Sequence, residues 1–312
     1  MKVYVIGSVN IDDVYSVHHI VQPGETISSS AYHVHPGGKG ANQAYALGKA
    51  GADVSLVACI GKDGSWLLDL YKPFVNVEKV LVIGGNTGRA IIQVDEGSHD
   101  NAIVLFPGAN QQIPLSHLDF LSHSPGWIVL QNEINIDAAN HAMQLGKANG
   151  SVICLNPAPC PTNIYDLKID LADVLILNES EANQFAAQLK SKPNQSLDNL
   201  DTILELLNVS VVVITLGGKG VIAAAKSDTS IKKYKQQVVR TPNLVDTTGA
   251  GDTFVGYFIS HLAGKMNSKT LHQIELYIQD ALKIAVLASG IACETAGAMN
   301  SIPDVKQIEM LL

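Results

Sequence analysis

Short apolar runs rich in β-branched residues recur along the chain and alternate with segments of helical periodicity. Uninterrupted apolar runs of this kind are typical of strands buried on both faces, and such strands belong to parallel sheets that helices cover. The pattern therefore predicts an α/β fold in three layers, with a mostly parallel central sheet and helices on both faces. The predicted strands are 3–6, 54–57, 127–130, 152–155, 174–177 and 211–215, and the predicted helices are 41–50, 136–148, 179–189, 200–207, 250–262 and 271–293.

Two regions, 14–34 and 87–106, instead show short strands with polar alternation and turns. We expect them to form a small antiparallel sheet that projects from the main body. Because a projecting sheet must bury its apolar face, it should act as a lid, as a dimer surface, or as both. The polar stretch 190–199 is expected to be an exposed connector, and residues 1–312 are expected to form one domain.

The composition favours a folded enzyme over a nucleic-acid-binding protein. Hydrophobic residues make up 46% of the chain, which permits a sizeable core, and the formal net charge of −8 offers no basic surface for nucleic acid. No apolar run has the roughly 18 residues of a membrane-spanning helix, and the chain opens on a strand rather than a secretory leader. We therefore expect a cytoplasmic protein without a membrane partner.

The cysteines and one histidine pair could suggest metal binding, but their patterns do not favour it. No two cysteines form a C-x-x-C pair, and all lie in or beside apolar stretches, so we expect reduced core residues. His33 and His35 share one face of a strand, and without a third ligand we interpret that face as solvated. The four cysteines are Cys59, Cys154, Cys160 and Cys293.

The stretch 245–254 carries the strongest chemical signal, because acidic residues lie on both sides of a Gly-Ala-Gly turn and an apolar helical run follows. Gly249 and Gly251 can point consecutive backbone N–H groups at one spot, and a helix N-terminus adds partial positive charge there. Beside this turn, Asp252 could take a proton from a hydroxyl during phosphoryl transfer. A plain tight turn is the alternative for Gly-x-Gly in isolation, and the chain contains no P-loop sequence.

Further polar residues follow predicted strands, where open α/β sheets bind their ligands. Asn10 and Asp12 follow the first strand and suit sugar hydroxyls, although an Asx turn is an equal alternative. The glycine-rich loop 36–42 opens a helix and brings Asn42 into its first turn, and a simple helix-entry turn is the alternative. Glu133 could accept hydrogen bonds from hydroxyls, or it could be an ordinary exposed acid.

Two later segments suggest a nucleotide. Asn178 and Glu181 open a helix and could bind Mg²⁺ and phosphate through waters, with a helix cap as the alternative. The glycine-rich segment that starts at Thr215 could meet nucleotide phosphates, or it could be a β-turn between strands.

Taken together, these segments resemble the ribokinase-like sugar kinases, the PfkB carbohydrate kinase family, over nearly the whole chain and in the family's order. The resemblance implies the ribokinase-like three-layer fold with the small sheet as a lid. It also implies ATP-dependent phosphorylation of the 5-hydroxyl of D-ribose. The last motif is very specific to the family. The matching segments are 7–12, 23–26, 37–42, 108–110, 155–159, 178–181, 215–217 and 246–254.

The resemblance also implies the roles of individual residues. Asp252 matches the catalytic base, and Gly249, Ala250 and Gly251 match the anion hole for the γ-phosphate. The sugar-binding positions are Asn10, Asp12, Gly38, Lys39, Asn42 and Glu133, and the ATP and Mg²⁺ positions are Asn178, Glu181, Thr215, Gly217 and Gly220. An activating monovalent cation, usually K⁺, matches Asp246, Thr248, Ala292, Thr295, Gly297 and Ser301.

The chain departs from the family pattern at three places. Segment 64–80 is shorter than usual, Asn132 stands where an apolar residue is common, and 294–296 replaces a basic stretch. The resemblance further implies a homodimer formed through the lid. The alternatives are a related kinase acting on deoxyribose, fructose or a nucleoside, and a catalytically silent sugar sensor.

Overall fold

The structure is a computed structural model that describes residues 1–98, 100–189, 199–226, 231–238, 243–266 and 268–312. Within these ranges the chain forms strands and α-helices joined by turns and short 3-10 helices. The strands are β1 (Val3–Ile6), β2 (Asn10–Val17), β3 (Ala31–Gly37), β4 (Val54–Gly61), β5 (Asn76–Ile83), β6 (Gly88–Asp95), β7 (Asn101–Phe106), β8 (Trp127–Leu130), β9 (Val152–Leu155), β10 (Val174–Asn178), β11 (Val211–Thr215), β12 (Val221–Lys226) and β13 (Ile231–Gln236). The α-helices are α1 (Lys39–Lys49), α2 (Ser65–Tyr71), α3 (Ile136–Ala148), α4 (Glu179–Leu189), α5 (Asn199–Leu206), α6 (Ala250–Lys265), α7 (Ile278–Ala292), α8 (Ala298–Ser301) and α9 (Val305–Glu309).

The central sheet has nine strands in the order β13-β12-β11-β10-β9-β8-β1-β4-β5. The pairings from β11 to β5 are parallel, and β12 and β13 add an antiparallel edge. Because side chains alternate between the faces of a strand, Val3 and Val5 enter one hydrophobic cluster while Tyr4 and Ile6 enter another. Helices α1, α6 and α7 pack in the first cluster, and α3, α4 and α5 pack in the second. The predicted three-layer α/β fold is confirmed.

A second sheet has four strands in the order β3-β2-β6-β7. Its β2–β3 and β6–β7 pairings are antiparallel, whereas the central β2–β6 pairing is parallel. The parallel pair arises because the chain passes through α1, β4, α2 and β5 between β2 and β6, so no hairpin joins them. The predicted small sheet is therefore confirmed with one parallel pairing, and it extends beyond the predicted regions to Asn10 and Gly37.

Three segments show the limits of the sequence prediction. The C-terminal helix predicted over 271–293 is shorter, because Ser268–Leu276 is a 3-10 helix and α7 begins at Ile278. The short segment 64–80 contains α2 and the start of β5, an edge strand that the prediction lacked. Residues 190–198 of the predicted connector lie outside the described residues.

The cysteines were predicted to be reduced and buried, and the structure agrees except that two of them are only half-buried. All four cysteines are free; Cys59 and Cys154 are buried, while Cys160 and Cys293 are half-buried. In the part of the chain that the structure describes, the helices are too short or too polar to cross a lipid bilayer.

Candidate active site

Asp252 lies in the first turn of α6, directly after the Gly-Ala-Gly turn. Gly249 precedes the helix with a φ of 76°, a left-handed conformation that glycine adopts without strain. A Cβ at Gly249 would lie only 2.7 Å from the Cα of Ala298, so the turn has no room for a side chain. A helix N-terminus and a carboxylate therefore meet at one point, which is the arrangement that an anion-binding turn beside a base requires.

Two amides from α1 hold the buried carboxylate of Asp252. Gln43 Nε2 donates to Oδ1 over 2.9 Å, and Asn42 Nδ2 donates to Oδ2 over 3.2 Å. Burial raises the pKa of Asp252, and the charge of Lys39 and the two amide bonds oppose part of that rise. A carboxylate with a raised pKa accepts protons more readily than a solvated one.

A close crossing of α1 and α6 brings these amides to the carboxylate. A Cβ at Gly256 of α6 would lie 2.4 Å from the Cβ of Ala46 in α1. The glycine thus lets the two helices approach more closely than a pair with side chains at the contact would. The helix spacing therefore depends on a residue one turn beyond Asp252.

Lys39 and Glu133 meet at the N-terminus of α1. Glu133 Oε2 accepts hydrogen bonds from the backbone N–H of Lys39 at 3.0 Å and from Ser8 Oγ at 2.5 Å. Ser8 Oγ in turn accepts from the backbone N–H of Gly40. Burial lowers the pKa of Lys39, but nearby carboxylates, Asp252 foremost, raise it more, so its pKa lies above the usual value. Glu133 therefore caps a helix end and faces a firmly charged lysine, and it is half-buried rather than an exposed loop acid.

Asn10 and Asp12 are the first and third residues of strand β2, so the Asx-turn alternative is wrong. Asn10 Oδ1 accepts a hydrogen bond of 2.7 Å from Asn110 Nδ2. The Asp12 carboxylate lies over Gly37, where a Cβ would be 2.2 Å from both carboxylate oxygens. Burial, and then repulsion from neighbouring carboxylates led by Glu133, raises the pKa of Asp12 to about 7. This carboxyl group therefore changes its charge near neutral pH.

Thr215, Gly217 and Gly220 line a cavity of about 270 Å³. They belong to the tight connection between the antiparallel strands β11 and β12, so the β-turn alternative is correct, and contact with nucleotide phosphates stays a prediction. The half-buried Cys293 also lines this cavity. The apolar part of the wall comes from Val221, Val238, Leu244, Phe254 and Val286.

A second cavity of about 220 Å³ contains the charged groups. Lys39, Glu181 and Asp252 line it, and it shares Thr215, Thr247 and Gly251 with the apolar cavity. The two cavities therefore adjoin at the first turn of α6. A phosphate chain could lie across this boundary with its terminal group beside Asp252.

Asn178 and Glu181 form a reciprocal cap at the start of α4. Asn178 Oδ1 accepts from the Glu181 backbone N–H at 2.8 Å, and Glu181 Oε2 accepts from the Asn178 backbone N–H at 2.9 Å. The helix-cap alternative is therefore correct, and both residues also line the charged cavity. Burial raises the pKa of Glu181, and its hydrogen bond and Lys39 counteract this.

The six residues matched to a monovalent cation lie on two neighbouring segments, 246–248 and 292–301. Asp246 joins them, because Oδ1 accepts from the N–H and hydroxyl of Thr248 while Oδ2 accepts from the Gly297 N–H at 2.8 Å. The Ala292 carbonyl accepts from the Thr295 N–H, and the Ser301 hydroxyl donates to Ala298 O. Burial would raise the pKa of Asp246, but the hydrogen bonds from Gly297 and Thr248 hold it below its usual value, so Asp246 is a stable anion.

Sequence reasoning missed several residues that complete the site. Gln43, Gln131 and Asn156 form a buried amide chain that ends on Asp252. A polar side chain at a buried helical or strand-end position, beside a residue already chosen, was the available signal. The other missed residues are Ser8, Asn110 and Cys293.

Asn132, one of the departures from the family pattern, has a structural partner. Its Nδ2 donates to Pro159 O over 2.8 Å, and its backbone N–H donates to Ala158 O. This residue therefore ties the end of β8 to the loop after β9.

Residues 1–305 match the family model described as pfkB family carbohydrate kinase. The ribokinase of Staphylococcus aureus (strain COL) is 32% identical over an alignment 323 residues long that covers 99% of each chain. The crystal structure of ribokinase from Cryptococcus neoformans var. grubii serotype A in complex with ADP has a TM-score of 0.82 at 30% identity, covering 100% of this chain and 99% of that one. Arabidopsis thaliana ribokinase complexed with ribose and ATP has a TM-score of 0.84 at 25% identity, covering 99% of this chain and 98% of that one. The chain therefore belongs to the pfkB family of carbohydrate kinases.

Proposed function

We propose that this kinase transfers the γ-phosphoryl group of ATP to the 5-hydroxyl of D-ribose. The observation that carries the proposal is the cleft in which the apolar cavity and the charged cavity adjoin at the first turn of α6. Asp252 lies in the charged cavity. The Arabidopsis thaliana structure described with ribose and ATP, which spans nearly the whole chain, supports the choice of both substrates.

In this mechanism Asp252 takes the proton of the sugar hydroxyl while the hydroxyl oxygen attacks the γ-phosphorus of ATP. The backbone N–H groups of Gly249, Ala250 and Gly251 stabilise the negative charge on the transferring group. The raised pKa of Asp252 suits it to the role of base. Closure of the small sheet over the cleft excludes water and protects ATP from hydrolysis.

The sugar hydroxyls bind to the polar groups between β2 and α1. Asn42 Oδ1 is a buried acceptor with no partner among the described residues, so a ribose hydroxyl satisfies it. Lys39 and Glu133 offer a charged donor and acceptor side by side, and the ionised Asp12 accepts further hydroxyl hydrogens. Asn10 and Gly38 complete the set.

The nucleoside occupies the apolar cavity beside Thr215, Gly217 and Gly220. Its phosphates then run past Thr247 and Gly251 toward Asp252, along residues that both cavities share. Apolar walls suit an adenine ring, whereas the glycines leave backbone groups free to approach the phosphates.

Asn178 and Glu181 fit a water-mediated Mg²⁺ site, because oxygen donors line the charged cavity while their capping bonds hold them in place. Mg²⁺ bound there would offset the charge of the phosphate oxygens. For K⁺, the donor chemistry also fits: the anionic Asp246 connects the two segments that hold Thr248, Ala292, Thr295, Gly297 and Ser301, and the backbone carbonyls and hydroxyls of these residues are oxygen ligands. A cation there would stabilise the segment that packs against Gly249.

We further propose a homodimer formed through the small sheet. Apolar side chains on this sheet are unusually exposed, with Val104 at 64% and Phe106 at 49%. Val104 pairs directly with Ile91, so the two lie on one face. Sedimentation should show a dimer that Val104→Lys converts to a monomer, whereas Val82→Lys, on the edge strand β5, should leave it intact. A monomeric unaltered protein would contradict the dimer.

A cytoplasmic location is part of the proposal, since ATP is abundant there and four free cysteines are typical of a reducing compartment.

The test is ADP release from Mg-ATP with ribose, deoxyribose, fructose, adenosine, cytidine or pseudouridine, with and without potassium. We expect turnover with ribose, raised by potassium. Turnover with a different compound alone would keep the kinase mechanism and overturn ribose as substrate. Ribose binding without ADP release would instead favour the silent sensor.

A further inference from the structure

Gln43 is a fully buried glutamine of α1 whose side-chain amide is the centre of a polar chain. Its Nε2 donates to Asp252 Oδ1 and to Asn156 Oδ1, each over 2.9 Å. Its Oε1 accepts from Gln131 Nε2 over 2.7 Å. Both hydrogens and the oxygen of this amide are therefore used inside the protein.

The direction of this chain follows from one backbone group. Asn156 Nδ2 donates over 2.9 Å to Ile176 O, and a carbonyl oxygen can only accept. Asn156 must therefore turn its Oδ1 toward Gln43, and Gln43 must donate a hydrogen bond to it from Nε2. The second hydrogen of that same nitrogen then points at Asp252 Oδ1.

We propose that Gln43 is a positioning residue that reserves Oδ1 of Asp252 as a hydrogen-bond acceptor and leaves Oδ2 to take the proton of the substrate hydroxyl. The shorter hydrogen bond from Gln43 lowers the proton affinity of Oδ1 more than the bond from Asn42 lowers that of Oδ2. Oδ2 has the longer bond, 3.2 Å from Asn42 Nδ2. In the step, the sugar O–H bond breaks, Oδ2–H forms, the sugar oxygen bonds to the γ-phosphorus and ADP leaves. This inference rests on the proposed function.

The same hydrogen bond affects the acidity of the base. Burial raises the pKa of Asp252, whereas Gln43 opposes the rise. The charged groups that act on this carboxylate from the surrounding elements are Lys39 of α1, Asp12 of β2 and Glu181 of α4. Loss of Gln43 should therefore move the ionisation of Asp252 to higher pH, with these other charges unchanged.

The experiment compares the pH dependence of kcat in the unaltered protein and in Gln43→Leu. Removal of one hydrogen bond to a charged group should lower kcat about 10- to 100-fold and move the acid limb of the kcat profile to higher pH. KM for the sugar should change less than about threefold. A kcat within about twofold of the unaltered enzyme, or a lower kcat with an unmoved acid limb, overturns the proposal.

Two further variants separate positioning from loss of structure. Gln188→Leu is the control, because the Gln188 side chain likewise bonds inside the protein near the far end of α4: its Oε1 accepts from the Ile164 N–H and its Nε2 donates to Pro161 O. It should leave kcat and its pH profile unchanged. Gln131→Met keeps Gln43 but removes the donor to its Oε1, and it should shift kcat and the acid limb in the same direction by a smaller amount. If Gln43→Leu does not fold, a folded Gln131→Met with unchanged kcat and acid limb overturns the proposal.

The proposed function and this inference fail separately. Absence of sugar-dependent ADP release from the unaltered protein contradicts the function. Normal turnover that Gln43→Leu leaves untouched contradicts the inference alone.

Discussion

The two ends of the cleft are built in different ways. The end assigned to the sugar consists of charged and amide side chains from β2, α1 and the end of β8, and they bond to one another. The end assigned to the nucleotide consists of apolar walls and glycine backbone between β11, α6 and α7. Side chains that depend on each other's charge should respond strongly to single substitutions and to pH, whereas a shaped apolar cavity should respond mainly to changes of volume.

The largest effect is expected where the two ends meet. Asp252→Asn should lower kcat about 10³-fold, because the amide cannot accept the hydroxyl proton. The free energy of unfolding should not fall. Burial raises the pKa of Asp252, which means that its ionised form is unfavourable in the folded protein, and the substitution replaces that form with a neutral amide. Steady-state turnover and thermal unfolding measure the two quantities. Asp137→Asn, in the first turn of α3, is the matched control and should be neutral; near-normal turnover of Asp252→Asn would refute the assignment of the base.

The next effect should be confined to the sugar end. Gly37→Ala places a Cβ about 2.2 Å from the Asp12 carboxylate, which must move. We expect KM for the sugar to rise about 10-fold or more, with KM for ATP unchanged. Gly264→Ala, whose added Cβ meets no atom within 4 Å, should change neither constant. Equal increases in KM for the sugar and KM for ATP would contradict the expectation that this substitution acts on the sugar end alone.

A volume change should act on the nucleotide end. Cys293→Phe fills part of the apolar cavity and should raise KM for ATP about 10-fold, with KM for the sugar unaffected. Cys293→Ser keeps the volume and should alter KM for ATP little. The idea that shape governs this end is wrong if the serine variant is the more damaging one.

The smallest effect is the difference in pH response. The pKa of Asp12 is raised to about 7, so its ionised, hydroxyl-accepting form increases as pH rises through neutrality. KM for the sugar should therefore fall several-fold between about pH 6 and about pH 8, while KM for ATP stays level. The same raised pKa means that this carboxyl group's contribution to stability is lost as pH rises through about 7.

Asp12→Asn tests both consequences. It should remove the pH dependence of the sugar KM and unfold at a higher temperature than the unaltered protein above neutral pH. An unchanged pH dependence in this variant would assign the titration to another group.

Prediction from sequence was accurate where the signal is local. Uninterrupted apolar runs located β1, β8 and β9 with their observed bounds, because strands buried on both faces need no polar alternation. The edge strand β5 was missed, since its residues alternate mostly between exposed and half-buried positions, with Val80 alone buried. The 3-10 helix Ser268–Leu276 was taken as part of an α-helix because the two share nearly the same local periodicity.

The residues of the candidate site also differ in how far the sequence alone could assign them. Residues 246–254 could be recognised as one motif, because the turn and the base are neighbours in the chain. Gln43 could not be assigned a role, since its partner Asp252 lies 209 residues away. Asn178 was recognisable as a cap, but whether it also lines a cavity depends on β11 and α6.

The sequence by itself determined the alternation of strands and helices, the small sheet and the glycine turn before α6, because hydrophobic periodicity and glycine conformation act over a few residues. Only the tertiary structure decided which oxygen of Asp252 each amide holds, why Asp12 titrates near pH 7 and where the two cavities join. Those properties arise from distances and burial among groups remote in the chain, and the strength of charge and hydrogen-bond interactions depends on both.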